Sequence, residues 1–386
     1  MFSEVIKLYI EEYKKEYGTD HFYNIDLFNE ETPSSSEPSY LKKCGESVWE
    51  GVKKADPDGI WIMQGWLFVN QQNFWQKEQV KAMVTSVPIG RMLILDLFSD
   101  VVPGYNLNDG YYQVPFLWCM LHNFGGASGL YAAFNRINGE SQIEKSFSLF
   151  EARKSFKNMI GIGLTPEGIE QNPVAYEYMT ETIWFEKAPN TLEWFTDLTV
   201  ERYGFYDENI IQAWLLIRKS AYNDPIGIHN HGNYAINKRP SLTYHSDLWY
   251  NPKNITTALS LFEKYLKNNS NALKIETFVY DMSDIARQTL QLLFDYRKEK
   301  ELFLFFMKND LNSVKKTGLI MLEYLDMLDK VMQTTRFTLL SNWINDARAL
   351  GKDKNEQDYY EELAKNQITL WGPNANVSKM LLYKIH

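Results

Sequence analysis

Five short apolar runs, each separated from the next by a helical stretch, limit what the first half of this chain can fold into. They are Phe22–Phe28, Ile60–Gln64, Arg91–Leu97, Pro115–Leu121 and Ile160–Leu164. Their starts recur roughly every 25 to 45 residues, the spacing of βα units that build a parallel sheet. The runs are apolar throughout instead of alternating, which predicts strands covered on both faces. Between them, "SYLKKCGESVWEGVKKAD" and "GGASGLYAAFNRI" read as helices, and "MFSEVIKLYIEEYKKEYG" reads as an amphipathic helix ending at Gly18.

From about Trp184 the pattern changes. "TLEWFTDLTVERYG", "DENIIQAWLLIRKSAY", "ITTALSLFEKYLKN" and the run from Tyr280 to Arg348 all carry helical spacing, with Asn190 a candidate N-cap. Residues 223–242 are the one long irregular link. The expected fold class is α/β then all-α: a partial (β/α)8 TIM-type barrel with about five of its eight strands, followed by an all-helical domain. The boundaries this suggests are 1–187 for the C-terminal part of the barrel and 188–386 for the helical domain. A barrel that opens on its fourth strand reads as a piece of a longer protein.

Composition narrows function. An apolar share of 45% supports a packed core along most of the length. The net charge of −9, with no basic patch, argues against nucleic acid. No run is long and apolar enough to predict a membrane span. Cys44 and Cys119 make no disulfide framework, and Cys119 reads as a small buried hydrophobe. No GxGxxG, P-loop or metal-ligand cluster is present, so neither cofactor nor metal is expected. The aromatic share of 15% suits a sugar site, because rings stack on the apolar faces of pyranoses.

In a barrel the C-terminal strand ends form the active-site rim. Each run here ends in polar or aromatic residues: Asn29-Glu30, Gln64-Gly65-Trp66, Asp96, His122-Asn123 and Thr165-Pro166-Glu167. Glu30 and Glu167 stand at two such ends. Glycoside hydrolysis needs one carboxyl that holds a proton and one that stays ionised. Trp66 and Trp118 are candidate apolar walls, and Asp96 either orients a partner or is held by backbone amides. His122 and Asn123 offer hydrogen bonds to sugar hydroxyls. A metal-dependent hydrolase built on Asp96, His122 and a linker histidine (His229, His231 or His245) is the weaker alternative, because no spacing supports it.

The blocks "LFNEETPSSSEPSYL", "QGWLF", "LILDLF", "PFLWCMLHNFGG", "TPEGIEQNPVAY" and "TLWGP" resemble the lysosomal and bacterial α-N-acetylglucosaminidases of glycoside hydrolase family 89. The likeness runs in order from about residue 10 to 375. It implies a retaining glycosidase that removes terminal non-reducing α-linked N-acetylglucosamine from glycans such as heparan sulfate. By similarity Glu30 is the general acid/base and Glu167 the nucleophile, with Asn29, Trp66, Trp118, His122 and Asn123 around the sugar. It also implies a glycan partner and a lysosomal or extracellular location. In an α-glycoside of this sugar the 2-acetamido group shares the face of the leaving group and cannot attack from behind, so a protein carboxylate has to be the nucleophile. The competing reading is a carbohydrate-binding protein or pseudoenzyme without hydrolysis.

Overall fold

The computed structural model describes residues 2–122, 129–140, 145–167, 172–227, 234–238, 240–246 and 248–369. It divides into two compact units. The first comprises Met1–His122, Asn135–Pro166 and Met179–Lys187; the second comprises Asn123–Phe134, Glu167–Tyr178 and Ala188–His386. The chain segments that follow the fourth and fifth strands thus group with the helical unit.

The first unit is built on a five-stranded parallel sheet in chain order. Its strands are β1 (Phe22–Asn24), β2 (Ile60–Gln64), β3 (Met92–Asp96), β4 (Phe116–Met120) and β5 (Met159–Leu164). Helices α1 (Phe2–Tyr17), α2 (Pro38–Ala55), α3 (Trp66–Asn70), α4 (Lys77–Val84) and α5 (Gly104–Leu107) lie between or before them. Helix α1 stops at Gly18, whose φ of 77° ends the helical path. It packs on α2 where Gly51 removes a side chain: a Cβ there would lie 2.7 Å from Ile6 Cβ.

Strand register assigns the two sheet faces. Tyr23, Trp61, Met63, Met92, Ile94, Asp96, Phe116 and Trp118 share one face by pairing and alternation, and all are buried. The opposite face carries Ile60, Ile62, Leu93, Leu95 and Leu117, which are only half-buried. Burial on both faces, expected from the apolar runs, is therefore met on one face only. A five-stranded sheet does not close on itself, so its second face lacks the facing strands that bury a barrel interior. The glycines of β5 follow from packing on that face. A Cβ on Gly163 would fall 2.6 Å from Cys119 Sγ, so a strand passing this close has no room for a side chain. Cys119 is buried, as its apolar surroundings predict.

Two expectations are corrected. Strand β1 ends at Asn24, not Phe28, because the chain turns out of the sheet into a left-handed bend. Among the described residues of "GGASGLYAAFNRI", the expected helix is confined to Phe134–Asn138. Ahead of it, Ala132 N–H donates to Ala221 O and Ala133 bridges Asn223 in antiparallel fashion. Buried backbone groups paired this way have no need of a helix, and tertiary pairing overrides local propensity.

The second unit is helical in its C-terminal part. Helix Thr191–Tyr203 is capped by Asn190, whose side chain accepts from Leu192 N–H and Glu193 N–H, and it closes at left-handed Gly204. Asp207 caps Glu208–Arg218 in the same way. Aromatic rings fill the core: Tyr203, Phe262 and Phe278 meet edge-on or tilted at 5.3 to 6.4 Å, and Phe134 stacks on Tyr178 at 4.4 Å. Among the described residues no helix is long and apolar enough to cross a membrane.

Candidate functional site

Glu30 sits in the loop after β1. Ile25 N–H still donates to Ile62 O at 3.1 Å, and then Phe28 and Asn29 adopt φ of 70° and 33°. Two successive left-handed residues, one of them a bulky aromatic, cost on the order of 1–3 kcal/mol each, and such strain clusters at functional sites. Tertiary contacts hold the bend. Gln71 Nε2 donates to Glu30 O, and the Phe28 ring lies 6.3 Å from Trp75. Glu30 itself is exposed, and its Oε1 accepts the Trp66 indole N–H at 2.9 Å.

Trp66 is set by the sharp transition from β2 into α3. Gly65 N–H donates to Leu95 O, and Trp66 opens the helix. Its ring meets Phe98 at 6.0 Å and packs, with Val102, on a buried cluster of Val69, Phe98, Val101 and Leu121. All four of those residues lie in segments that follow strands. The fold thus brings Asn29, Glu30 and Trp66 together at the C-terminal strand ends, over an apolar floor.

His122, at the end of β4, is buried and left-handed with φ of 66°. Asp100 stabilises this turn: its carboxylate accepts Leu121 N–H at 3.2 Å and His122 N–H at 3.0 Å. Arg136 locks the same corner by donating to Asp100 O at 2.7 Å and Val101 O at 2.6 Å, with its guanidinium 4.5 Å from the Phe147 ring centroid. Asp100 and Arg136 were not singled out in the sequence. The only trace of Asp100 is a second aspartate four residues after Asp96 in "LDLFSD".

Asp96 is a capping carboxylate. It accepts Gly104 N–H at 3.1 Å and Tyr105 N–H at 2.7 Å, the first amides of α5. This answers the choice left open for it in favour of backbone amides, and it takes from the metal alternative one of its three groups. Trp118 also requires correction. It pairs with Asp96 across β3 and β4 and is fully buried on the helix-covered face, so it is a core residue of this unit and not an accessible wall.

Burial raises the carboxyls of Asp96, to about 7, and Asp100, to about 6, with their amide donors only partly opposing the shift. Both protons are held more tightly folded than unfolded. Their contribution to stability is fully present below the ordinary aspartate range and is lost as pH rises through about 6 to 7. The thermal midpoint should therefore fall from about pH 5 to pH 8, and Asp96→Asn should flatten that fall, an effect on the order of a few kcal/mol. Equal slopes for the two proteins in a midpoint-against-pH series would contradict this.

Glu167 is exposed and lies two residues beyond Thr165 along the chain. Thr165 ties the end of β5 to its neighbours: its N–H donates to Met120 O at 3.0 Å and its hydroxyl to Leu97 O at 2.9 Å. Glu167 opens the Glu167–Tyr178 segment of the second unit, whereas Asn29, Glu30, Trp66, Trp118 and His122 belong to the first. Asn123, His229 and His231 lie outside the described residues. Within the first unit an exposed carboxylate is oriented by an indole N–H beside an apolar floor, an arrangement that can serve proton transfer.

Residues 1–186 match the family described as alpha-N-acetylglucosaminidase (NAGLU) tim-barrel domain, and residues 194–383 match the NAGLU C-terminal domain. The chain is 36% identical over 381 residues to human alpha-N-acetylglucosaminidase, an alignment covering 98% of this chain and 50% of the relative. Two solved structures of a family 89 glycoside hydrolase from Clostridium perfringens each superpose with a TM-score of 0.85. One holds PUGNAc; the other carries two Glu→Gln replacements and holds its substrate GlcNAc-α-1,4-galactose. Each is 26% identical and covers 99% of this chain and 42% of its own. The chain thus spans about half the length of the curated relative it matches.

Proposed function

Because the chain belongs to glycoside hydrolase family 89, we propose that it carries the catalytic carboxylates of a retaining α-N-acetylglucosaminidase. In this reading Glu30 is the general acid/base and Glu167 the nucleophile. Asn29, Trp66, His122 and Asn123 surround a terminal α-linked N-acetylglucosamine of a glycan such as heparan sulfate. The observation that carries it is the Trp66–Glu30 hydrogen bond at the strand ends, in a chain whose relative with two Glu→Gln replacements is described with its GlcNAc-α-1,4-galactose substrate. A lysosomal or extracellular site of action belongs to the same proposal, as does the division into barrel residues 1–187 and helical residues 188–386.

The chemistry follows in two displacements. Glu30 gives its proton to the glycosidic oxygen as the C1–O bond breaks, and the Glu167 carboxylate attacks C1 from the opposite face to form a glycosyl ester. The aglycone leaves as an alcohol. Glu30, now ionised, takes a proton from water; the water oxygen bonds to C1, and the ester C–O bond breaks to restore Glu167. Two inversions return the α configuration, and the mechanism requires the carboxyls to stand about 5–5.5 Å apart in the working site. Trp66 holds the carboxylate of Glu30 in line for both proton transfers.

The second reading is a carbohydrate-binding protein without hydrolysis, and the half-buried sheet face favours it. An aryl α-N-acetylglucosaminide decides between the two when assayed with the protein that carries this sequence. Hydrolysis of the α-anomer but not the β-anomer is expected. A folded protein that binds the glycan and releases no sugar would favour the binding reading. In the same assay Trp66→Phe, which keeps the ring and loses only the N–H, should lower kcat about tenfold with little change in KM. Unaltered kcat would show that the indole N–H does not position Glu30.

A further inference from the structure

The helical unit contains a cavity of about 500 Å³, within the range of small-molecule sites. Ile236, Leu242, Phe294, Leu302, Met321 and Leu325 supply apolar walls. Lys298 also lines it, only 5% exposed, with no hydrogen-bond partner for Nζ. A buried ammonium without a hydrogen bond gives up its hydration with no short-range replacement, and such groups are normally hydrogen-bonded.

Its surroundings attract it without giving Nζ a hydrogen bond. The Tyr244 ring lies 5.5 Å from Nζ to the centroid, and the Asp295 carboxylate attracts Lys298 through space. The neighbouring carboxylate of Asp295 is engaged elsewhere, accepting Ala235 N–H at 2.7 Å and the Ser246 hydroxyl. Glu299 accepts Ser246 N–H at 3.1 Å and lies 3.5 Å from His245. Lys238 adds a second cationic side chain to the cavity lining. The backbone is special at the same place: helix Glu276–Arg297 passes into a π-helical turn over Lys298–Leu302. Such turns are rare and recur at functional sites.

We propose that this cavity binds a small apolar monoanion, a carboxylate carried on an aryl or alkyl body, with Lys298 as its counter-charge. The apolar walls take the body of the ligand. The ammonium, already desolvated, gains a charge-assisted hydrogen bond that it lacks without ligand. The proposal is independent of the glycosidase reading, since none of these residues belongs to that site.

Calorimetric titration of the 386-residue chain with 4-phenylbutyrate and its uncharged amide tests it. The acid should bind at one site per chain, about tenfold or more tighter than the amide. Lys298→Met should reduce the acid to the affinity of the amide, and Leu325→Trp, which intrudes on the cavity, should weaken both. Equal affinities for acid and amide in the unaltered chain would overturn the proposal, as would no saturable binding of either. Binding unchanged by Leu325→Trp would place the ligand elsewhere and overturn it too. The acid–amide comparison needs no variant, so misfolding of Lys298→Met leaves the test intact.

Discussion

Glu167→Gln should abolish turnover on every α-N-acetylglucosaminide, whereas Glu30→Gln should spare the substrates that need least help in departing. The roles proposed for the two residues separate on this point. A missing nucleophile blocks formation of the glycosyl ester whatever the leaving group. A missing acid matters in proportion to the basicity of the departing oxygen, so natural sugar alcohols should lose about 10²–10⁴-fold in kcat and activated aryl groups far less. Azide adds a stereochemical signature. With Glu30→Ala it attacks the glycosyl ester and yields the α-azide; with Glu167→Ala it enters the space the carboxylate vacates, displaces an activated leaving group directly and yields the β-azide. Both variants should keep the parent's thermal midpoint, since both side chains are exposed. The same azide product from both would show that the roles are misassigned.

The largest expected loss of stability lies in the helical unit, at Asp281. This buried carboxylate accepts Arg202 Nε at 2.5 Å, Arg202 Nη2 at 2.9 Å and the Tyr203 hydroxyl at 2.6 Å. Thr277 fixes the same helix end by donating to Arg202 O. Asp281→Ala leaves a largely buried guanidinium with only Glu177, 3.7 Å from its Nη1, and takes the acceptor from a buried hydroxyl; breaking one side of such a pair costs about 3–5 kcal/mol. Asp281→Asn keeps the shape and one acceptor and should cost less. Chemical denaturation followed by far-ultraviolet circular dichroism reads both. A loss below about 1 kcal/mol for Asp281→Ala would mean that water reaches and solvates Arg202 once its partner is gone.

The sheet was legible where an apolar run sits between two paired neighbours. Strands β2, β3 and β4 lie within one residue of the expected runs, because only a strand buried on at least one face has use for "IWIMQ" or "MLILD". Strand β1 was overextended. Ile25, Leu27 and Phe28 continue the apolar pattern, but Leu27 and Phe28 serve the bend that carries Glu30, and no local signal separates the two uses. Trp118 failed for a related reason. Phe116 to Met120 are all apolar, so the alternation that would reveal which side chains face the helices is silent, and only pairing with Asp96 decides. The hydrogen bonds of Asp100 and Arg136 join segments more than twenty residues apart, beyond the reach of any periodicity. The helical unit was easier, because caps such as Asn190 and Gly204 are local chemistry. Glu30 stood out because a carboxylate ending an apolar run is unusual, while its contact with Trp66 spans 36 residues and needed the fold.

In the proposed mechanism Glu167 forms a covalent bond to the sugar. The most direct measurement uses a fluorinated N-acetylglucosaminyl donor that forms the ester quickly and releases it slowly, with the barrel supplied complete. Peptide mass spectrometry of the trapped protein is predicted to find one sugar on the peptide that contains Glu167, with proton magnetic resonance showing the α-anomer as the first product from ordinary substrate. A label on any other residue, or the β-anomer released first, would contradict the account.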